Sequence, residues 1–179
     1  SAEQAGLARS EMANLELAWA VAFPETSKMR ASPVILGDTI IYNAIQVGKI
    51  FALDANTGCA KWVYSSPNPL RASIALGELG DRKTVVFGDA RGFVQTIDAL
   101  TGEGIWIKDG RTSHERGWIS GSIVLHEDMI IVPISDSGVT AAGNPRHECC
   151  AGHGAVTALD VVTGRKLWEY HTMPKATYT

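Results

Sequence analysis

One pattern occurs three times in the chain: GKIFALDANTGCAKW at Gly48–Trp62, GFVQTIDALTGEGIW at Gly92–Trp106 and GAVTALDVVTGRKLW at Gly154–Trp168. Each copy has an aspartate six residues after its first glycine, then a Thr-Gly pair, then a tryptophan four residues after the second glycine. Aspartate side chains accept hydrogen bonds from turn backbone, and glycine tolerates a positive φ. The pattern therefore predicts a β-hairpin in each copy, with a short Asp-x-x-Thr-Gly turn between its strands.

Two further apolar runs separated by a short turn precede each hairpin: SPVILGDTIIYNA from Ser32, SIALGELGDRKTVVFG from Ser73 and SGSIVLHEDMIIVPI from Ser120. Each repeat is thus predicted to hold four strands. Four-stranded repeats of about 40 to 50 residues are typical of β-propeller blades. The third repeat is longer because SDSGVTAAGNPRHECCAGH, residues 135–153, is inserted between its second and third strands.

The predicted fold class is all-β, with blades of four antiparallel strands at residues 31–66, 72–110 and 118–172. Residues 1–30 are predicted to form an N-terminal segment, in which Trp19 belongs to the last strand of a preceding blade and GLARSEMAN forms one helical turn. Propellers close with about four to eight blades. About three blades are therefore part of a larger ring, and the remaining blades are expected partners.

Composition excludes several classes of protein. The chain has 16 Lys and Arg against 19 Asp and Glu, a net charge of −3, and no basic run, which argues against nucleic-acid binding. No apolar run approaches the roughly 18 residues of a membrane-spanning helix. Hydrophobic residues make up 45% of the chain, as in ordinary globular proteins. The N-terminal residues show no export signal, so localisation has to be inferred in another way.

The order of loops in an up-and-down blade separates the candidate site residues from the hairpin turns. Loops between the second and third strands, and those leading to the next blade, emerge at one end, called here the near end. The Asp-x-x-Thr-Gly turns and Cys59 belong to the far end. Ligands of propellers commonly bind where long polar loops gather. The near-end candidates are Arg71, Asp89, Arg91, Arg111, His114, Glu115, Arg116, Trp118, Asp136, His147, Glu148, Cys149, Cys150 and His153.

The repeats resemble the tryptophan-docking repeats of quinoprotein dehydrogenases, whose propellers hold pyrroloquinoline quinone (PQQ). Within that superfamily the chain is most similar to polyvinyl alcohol dehydrogenase-like proteins. The residues that carry this resemblance are GCAKW at 58–62, LRASIALG at 70–77, FGDARG at 87–92 and NPRHECC at 144–150, followed by GAVTALD. The resemblance extends from Leu15 over nearly the whole chain. It implies an eight-bladed propeller.

The resemblance also implies a function. Such enzymes oxidise small, secondary or polymeric alcohols with PQQ and Ca²⁺, pass the electrons to cytochrome c, and are periplasmic or secreted. It implies that Cys149 and Cys150 contact the cofactor, joined in a strained vicinal disulfide stacked on the quinone. Arg71 is a further cofactor-binding candidate, because guanidinium groups pair with carboxylates such as those of PQQ, and the alternative is a surface salt bridge. His114 is either a cofactor hydrogen-bond donor, a base or a solvated loop histidine. His114, Asp136 and Glu148 are candidates for the catalytic base. Ala151-Gly152-His153 replaces the Thr-Phe-Arg that follows the cysteines in these relatives.

Other interpretations remain open from the residues alone. Cys149 and Cys150 are either a disulfide, plain thiols or metal ligands, and HECCAGH contains the zinc-ligand types His147 and His153 without the usual two-residue cysteine spacing. The alternatives to an alcohol dehydrogenase are a noncatalytic scaffold propeller that binds proteins and a metal-binding propeller.

Overall fold

The fold was analysed in a computed structural model, which describes residues 6–112, 117–136, 143–146 and 153–173. One short 3-10 helix, Arg9–Asn14, matches the predicted helical turn. Within the described residues no helix is long and apolar enough to cross a bilayer. The strands are β1 Val34–Leu36, β2 Thr39–Ala44, β3 Lys49–Asp54, β4 Ala60–Ser65, β5 Ala75–Leu79, β6 Arg82–Gly88, β7 Phe93–Asp98, β8 Gly104–Asp109, β9 Gly117–Ile119, β10 Val124–His126, β11 Met129–Asp136, β12 Ala155–Asp160 and β13 Lys166–His171.

The strands form three antiparallel sheets in sequence order. Strands β1 to β4 make the first sheet, β5 to β8 the second and β10 to β13 the third. This confirms the all-β fold class and the blades of four antiparallel strands. The second and third sheets approach each other through their first strands, β5 and β10: a Cβ added at Gly77 would stand 2.5 Å from Cδ1 of Leu125. Since the sheets of a propeller come closest at its axis, these first strands lie innermost.

The third sheet departs from the four-stranded prediction. Strand β9 also pairs with β11, with Ser135 opposite Trp118 and Asp136 opposite Gly117. Strand β11 is eight residues long, so its first half pairs with β10 and its second half with β9. The innermost strand of this blade is thus split in two, and its first part places Trp118 at the near end.

The hydrophobic core lies between the sheets. Strand β6 is buried on both faces, since Val85 and Phe87 pack toward the first sheet while Val86 packs toward the third. This alternation follows from the two-residue period of a strand. A sheet covered on both sides reads as a continuous apolar run, as KTVVFG does in the sequence.

Three tryptophans, Trp19, Trp62 and Trp106, each pack on the hairpin turn of the next blade, whereas Trp168 on β13 is 42% exposed. Cβ atoms added at Gly58, Gly102 and Gly164 would stand 2.8, 2.6 and 3.2 Å from Cε3 of Trp19, Trp62 and Trp106. The indole Nε1 of Trp19 also donates to the carbonyl of Ala55 at 2.9 Å. Residues 15–33 are not in a strand, because no neighbouring strand pairs with them in the described chain. Trp19 nevertheless makes the same contact as its counterparts in β4 and β8.

Candidate near-end pocket

The aspartates of the repeated hairpins lie at the far end and shape the turns. The Asp54 carboxylate accepts hydrogen bonds from the Asn56 and Thr57 backbone N–H groups and from the Thr57 hydroxyl, each at 3.0 Å. The backbone and hydroxyl hydrogen bonds from Thr57 hold the pKa of Asp54 below its ordinary value. Cys59 follows this turn and is exposed. These residues therefore have a structural explanation and lie at the end opposite Arg71.

A cavity of about 240 Å³ opens at the near end, between strand β9 and the segments that lead into β1 and β5. Its wall contains three cationic side chains and one indole. This cavity, the near-end pocket, is lined by Lys28, Arg30, Ile45, Gln46, Pro69, Leu70, Arg71, Ala90 and Trp118. Lys28, Arg30 and Arg71 are exposed, so their charges face solvent and can meet an anion.

Arg71 and Trp118 form a stacked pair in this pocket. The guanidinium carbon of Arg71 lies 4.6 Å from the centroid of the Trp118 ring, which is a cation–π contact. The Trp118 Nε1 is buried and has no hydrogen-bond partner. The Nε1 of Trp106, a tryptophan that packs on the turn at Gly164, is buried and unpartnered in the same way, so this feature alone does not indicate a ligand.

Arg30 and Arg71 occupy equivalent places in adjacent blades. The tripeptide Arg-Ala-Ser occurs at residues 30–32 and again at 71–73, and each arginine lies four residues before the first strand of its blade. The two tripeptides touch, because the backbone N–H of Ser32 donates to the Ser73 hydroxyl at 2.9 Å. The rotation from one blade to the next therefore brings two guanidinium groups to one pocket.

Gln46 anchors the segment that carries Lys28 and Arg30. Its side-chain carbonyl accepts hydrogen bonds from the backbone N–H groups of Ser27 and Lys28, at 2.7 and 2.9 Å. Gln46 lies in the β2–β3 loop and lines the pocket itself. The β2–β3 loop thus holds the segment that precedes β1 in place at the near end.

Asp89 supports the pocket from inside. Its side chain is fully buried and accepts four hydrogen bonds, from the backbone of Arg91 and Phe93 and from the side chains of Asn68 and Gln95. Leu70 and Asp89 form an isolated β-bridge. A buried carboxylate is tolerated when its oxygens are satisfied in this way. The network holds the segment that ends at Arg71 against the β6–β7 loop.

The network continues to Tyr64, whose hydroxyl donates to the Gln95 side-chain carbonyl at 3.0 Å. Burial, followed by the nearby charge of Asp89, raises the pKa of Tyr64 above its ordinary value. Since Tyr64 is on β4 and Gln95 is on β7, this hydrogen bond joins the first and second blades beneath the pocket.

The family model described as "Glucose/ethanol/alcohol dehydrogenase, beta-propeller domain", designated PQQ, matches residues 3–179. The chain belongs to this family. The predicted membership of the quinoprotein dehydrogenase superfamily is thereby confirmed.

Curated relatives of this PQQ propeller domain include two polyvinylalcohol dehydrogenases. That of Sphingopyxis sp. (strain 113P3) is 32% identical over 91% of this chain and 25% of its own length. That of a Pseudomonas sp. is 29% identical over 95% of this chain and 27% of its own length. The chain therefore spans about a quarter of the length of these relatives.

Solved structures show the same fold. A europium-containing methanol dehydrogenase aligns with a TM-score of 0.71 at 19% identity, over 92% of this chain and 28% of its own. The quinohemoprotein alcohol dehydrogenase ADHIIG of Pseudomonas putida HK5 aligns with a TM-score of 0.67 at 22% identity, over 82% of this chain and 21% of its own. The three sheets therefore match part of a quinoprotein propeller.

The structure brings only some of the predicted site residues together. Arg71 lines the near-end pocket with Trp118, while Asp136 ends β11 beside β9. His153 contacts His171 on β13, the outermost strand of the third sheet. The predictions for His114, His147, Glu148, Cys149 and Cys150 concern residues outside the described ranges.

Sequence reasoning missed two of the three pocket cations, Lys28 and Arg30. The repetition of Arg-Ala-Ser at 30–32 and 71–73 was the signal that could have found Arg30. It also missed His171 as the neighbour of His153, although the predicted hairpin of β12 and β13, in which Ala155 pairs with His171, was a signal that could have found it. Within the described ranges no group of three or more His, Cys, Asp or Glu side chains is arranged to hold a metal ion.

Proposed function

We propose that this chain is part of a PQQ-dependent quinoprotein that oxidises alcohols, and that the near-end pocket helps to bind the cofactor. The observation that carries the proposal is the Arg71–Trp118 stack in a pocket lined by three cationic side chains. Family membership supports the cofactor class, because the matching family model is that of a PQQ dehydrogenase propeller.

The described side chains fit the chemistry of this cofactor. PQQ is a flat aromatic acid with three carboxylate groups. Guanidinium groups pair with carboxylates through two parallel hydrogen bonds, and an indole offers both a flat face and a donor. Arg30 and Arg71 supply two guanidinium groups to the pocket, Lys28 a third positive charge, and Trp118 an aromatic face on which Arg71 stacks.

When bound, PQQ would supply the quinone that accepts a hydride from the alcohol carbon. The chain's own residues would hold the carboxylates, fix the plane of the ring and exclude water from one side. The hydroxyl proton of the alcohol would pass to a base, for which we retain His114, Asp136 and Glu148 as candidates. Asp136 is half-buried where β11 meets β9, next to the strand that carries Trp118.

The remaining features of the activity are proposed from the family. The substrate would be a small or polymeric alcohol, since two relatives are named polyvinylalcohol dehydrogenases. Cytochrome c would accept the electrons, a link that appears in the name of the relative "Lupanine 17-hydroxylase [cytochrome c]". The location would be periplasmic or secreted. Calcium would accompany the cofactor. Among the described residues no group of three or more His, Cys, Asp or Glu side chains is arranged to hold it.

Cys149 and Cys150 would form a vicinal disulfide at the cofactor face. Closing so short a loop removes little entropy from the unfolded chain, so stability is not its benefit. In the oxidised full-length protein, thiol counting should find Cys59 reactive and neither Cys149 nor Cys150 reactive. A Cys149→Ser, Cys150→Ser variant should remain folded and lose PQQ-dependent alcohol oxidation. Full activity in that variant would reject this role.

The experiment that tests the function uses the full-length protein reconstituted with PQQ and Ca²⁺. We expect saturable PQQ binding and dye-linked oxidation of a secondary alcohol. Arg71→Ala should weaken PQQ binding, whereas Arg165→Ala, in the far-end turn between β12 and β13, should not. A folded protein that binds no PQQ would contradict the proposal and favour a noncatalytic scaffold propeller.

A further inference from the structure

Two histidines face each other at the near end of the third blade. The Nε2 atom of His153 lies 2.6 Å from Nδ1 of His171, and the ring centroids are 4.8 Å apart. His153 stands where the inserted loop returns to β12, and His171 is the last residue of β13. The pair therefore joins the base of the inserted loop to the outer edge of the blade.

A carboxylate orients the second ring. The Nε2 atom of His171 lies 3.1 Å from Oε1 of Glu169, whose Oε2 pairs with Nζ of Lys166 at 3.0 Å. An ionised carboxylate only accepts hydrogen bonds, so in the neutral form of His171 the ring proton is on Nε2. The Nδ1 lone pair of His171 is consequently aimed at His153, and a single proton can occupy the space between the two rings.

We propose that a divalent cation of the zinc type binds between His153 and His171 in place of that proton. Metal-bound histidines usually donate their other ring N–H to a carboxylate, as His171 does to Glu169. Two imidazole nitrogens suit Zn²⁺, Ni²⁺ and Cu²⁺ better than Ca²⁺ or Mg²⁺, which prefer oxygen ligands. Water would complete the coordination.

The geometry requires only a small adjustment. Zinc–nitrogen distances are about 2.0 to 2.1 Å, so a tetrahedral ion holds two nitrogens about 3.3 Å apart and the rings must separate by about 0.7 Å. The side chain of His171 is 31% exposed and that of Glu169 is 27% exposed, so a cation can reach the pair from solvent.

A metal at this place would act on the end of the inserted loop that leads into β12. It would tie His153, which follows Cys150 by three residues in the sequence, to the end of β13. Strand β13 is outermost, whereas the near-end pocket lies by the segments that lead into the innermost strands. Neither histidine lines the near-end pocket, so the proposed metal ligands are different residues from those that line it.

The test is Zn²⁺ binding to the full-length protein, freed of metal with a chelator and kept without PQQ. Calorimetry and elemental analysis should show a site in the wild type that is missing in His171→Ala and in His153→Ala. Glu169→Gln should weaken this site by about 10- to 100-fold, because it removes the carboxylate that orients His171. His126→Ala, an exposed histidine at the end of β10, is the matched control and should bind as the wild type does.

Two results would overturn the proposal. One is a folded wild type, judged by circular dichroism, that shows no saturable Zn²⁺ binding, which would leave a plain hydrogen-bonded pair. The other is equal Zn²⁺ affinity in the wild type and His171→Ala. If His171→Ala does not fold, Glu169→Gln and His171→Gln decide the question. Since PQQ is absent from the assay, failure here would not count against the proposed dehydrogenase function.

Discussion

The indole of Trp62 lies directly against the backbone of Gly102 in the following blade. A Cβ at Gly102 would stand 2.6 Å from Cε3 of the indole, closer than real Cβ contacts allow. Gly102 also has a φ of +76°, which side chains other than glycine rarely adopt. The same residue thus closes its own hairpin turn and receives the tryptophan of its neighbour, so the turn and the blade junction form together.

Replacement of Gly102 by alanine should therefore destabilise the protein twice over, through backbone strain and through displacement of Trp62. We expect a loss of roughly 3 kcal/mol or more in the free energy of unfolding. Gly80→Ala is the matched control, because Gly80 has a φ of +60° but open space around its missing Cβ. That control should cost about 1 to 2 kcal/mol. Equal urea midpoints for the two variants would contradict the packing role.

Asp89→Asn should destabilise the junction between the first and second blades. The Asp89 carboxylate accepts hydrogen bonds from the side-chain amides of Asn68 and Gln95. An asparagine at this position would turn its own N–H groups toward some of these donors, and those hydrogen bonds would be lost. We expect a cost of about 2 to 4 kcal/mol, measured as a shift in the urea midpoint. Asp128→Asn, an exposed change in the β10–β11 turn, should stay within about 0.5 kcal/mol. A neutral Asp89→Asn would show that the network contributes little.

The hairpin aspartates predict how stability depends on pH. Hydrogen bonds from Thr57 lower the pKa of Asp54, and those from Thr163 lower the pKa of Asp160. A carboxyl with a lowered folded pKa stabilises the fold above its unfolded pKa of about 3.9, and this contribution is lost as the pH falls through the folded value. Thermal midpoints should therefore fall below about pH 4.

In the Asp54→Asn variant the thermal midpoint should fall less steeply as the pH is lowered below about 4, because asparagine does not titrate. Asp81→Asn, an exposed change in the β5–β6 turn, is the control and should keep the wild-type slope. An unchanged slope in Asp54→Asn would mean that its hydrogen bonds do not contribute to acid stability.

The equivalent arginines give a prediction about the cofactor. If both bind carboxylates of PQQ, Arg30→Ala and Arg71→Ala should each weaken PQQ binding by about 10- to 100-fold, since a hydrogen bond to a charged group contributes about 1.5 to 3 kcal/mol. Arg71→Lys should recover only part of the affinity, because lysine keeps the charge but cannot stack flat on Trp118. Fluorescence titration with PQQ would measure these affinities. Wild-type binding in Arg30→Ala would remove Arg30 from the proposed site.

Much of the architecture was open to prediction because its causes are local. The Asp-x-x-Thr-Gly turn is made by hydrogen bonds within four residues, as at Asp54 and Thr57, and strand alternation acts over a few residues. Threefold repetition then implied blades. The split innermost strand of the third blade was not predicted, because whether Gly117–Ile119 pairs with β11 depends on the extra length of β11 and not on its own sequence.

The chain's sequence alone determined the strand-turn units, their order and the end of each blade at which every loop emerges. Only the tertiary structure decided which loop residues meet. His153 meets His171 within one sheet, because the pairing of β12 with β13 places Ala155 opposite His171. Arg30 and Arg71 share a pocket because successive blades are rotated about a common axis. The contact between these two segments depends on packing between sheets, for which no short-range hydrogen-bond or apolar pattern provides a signal.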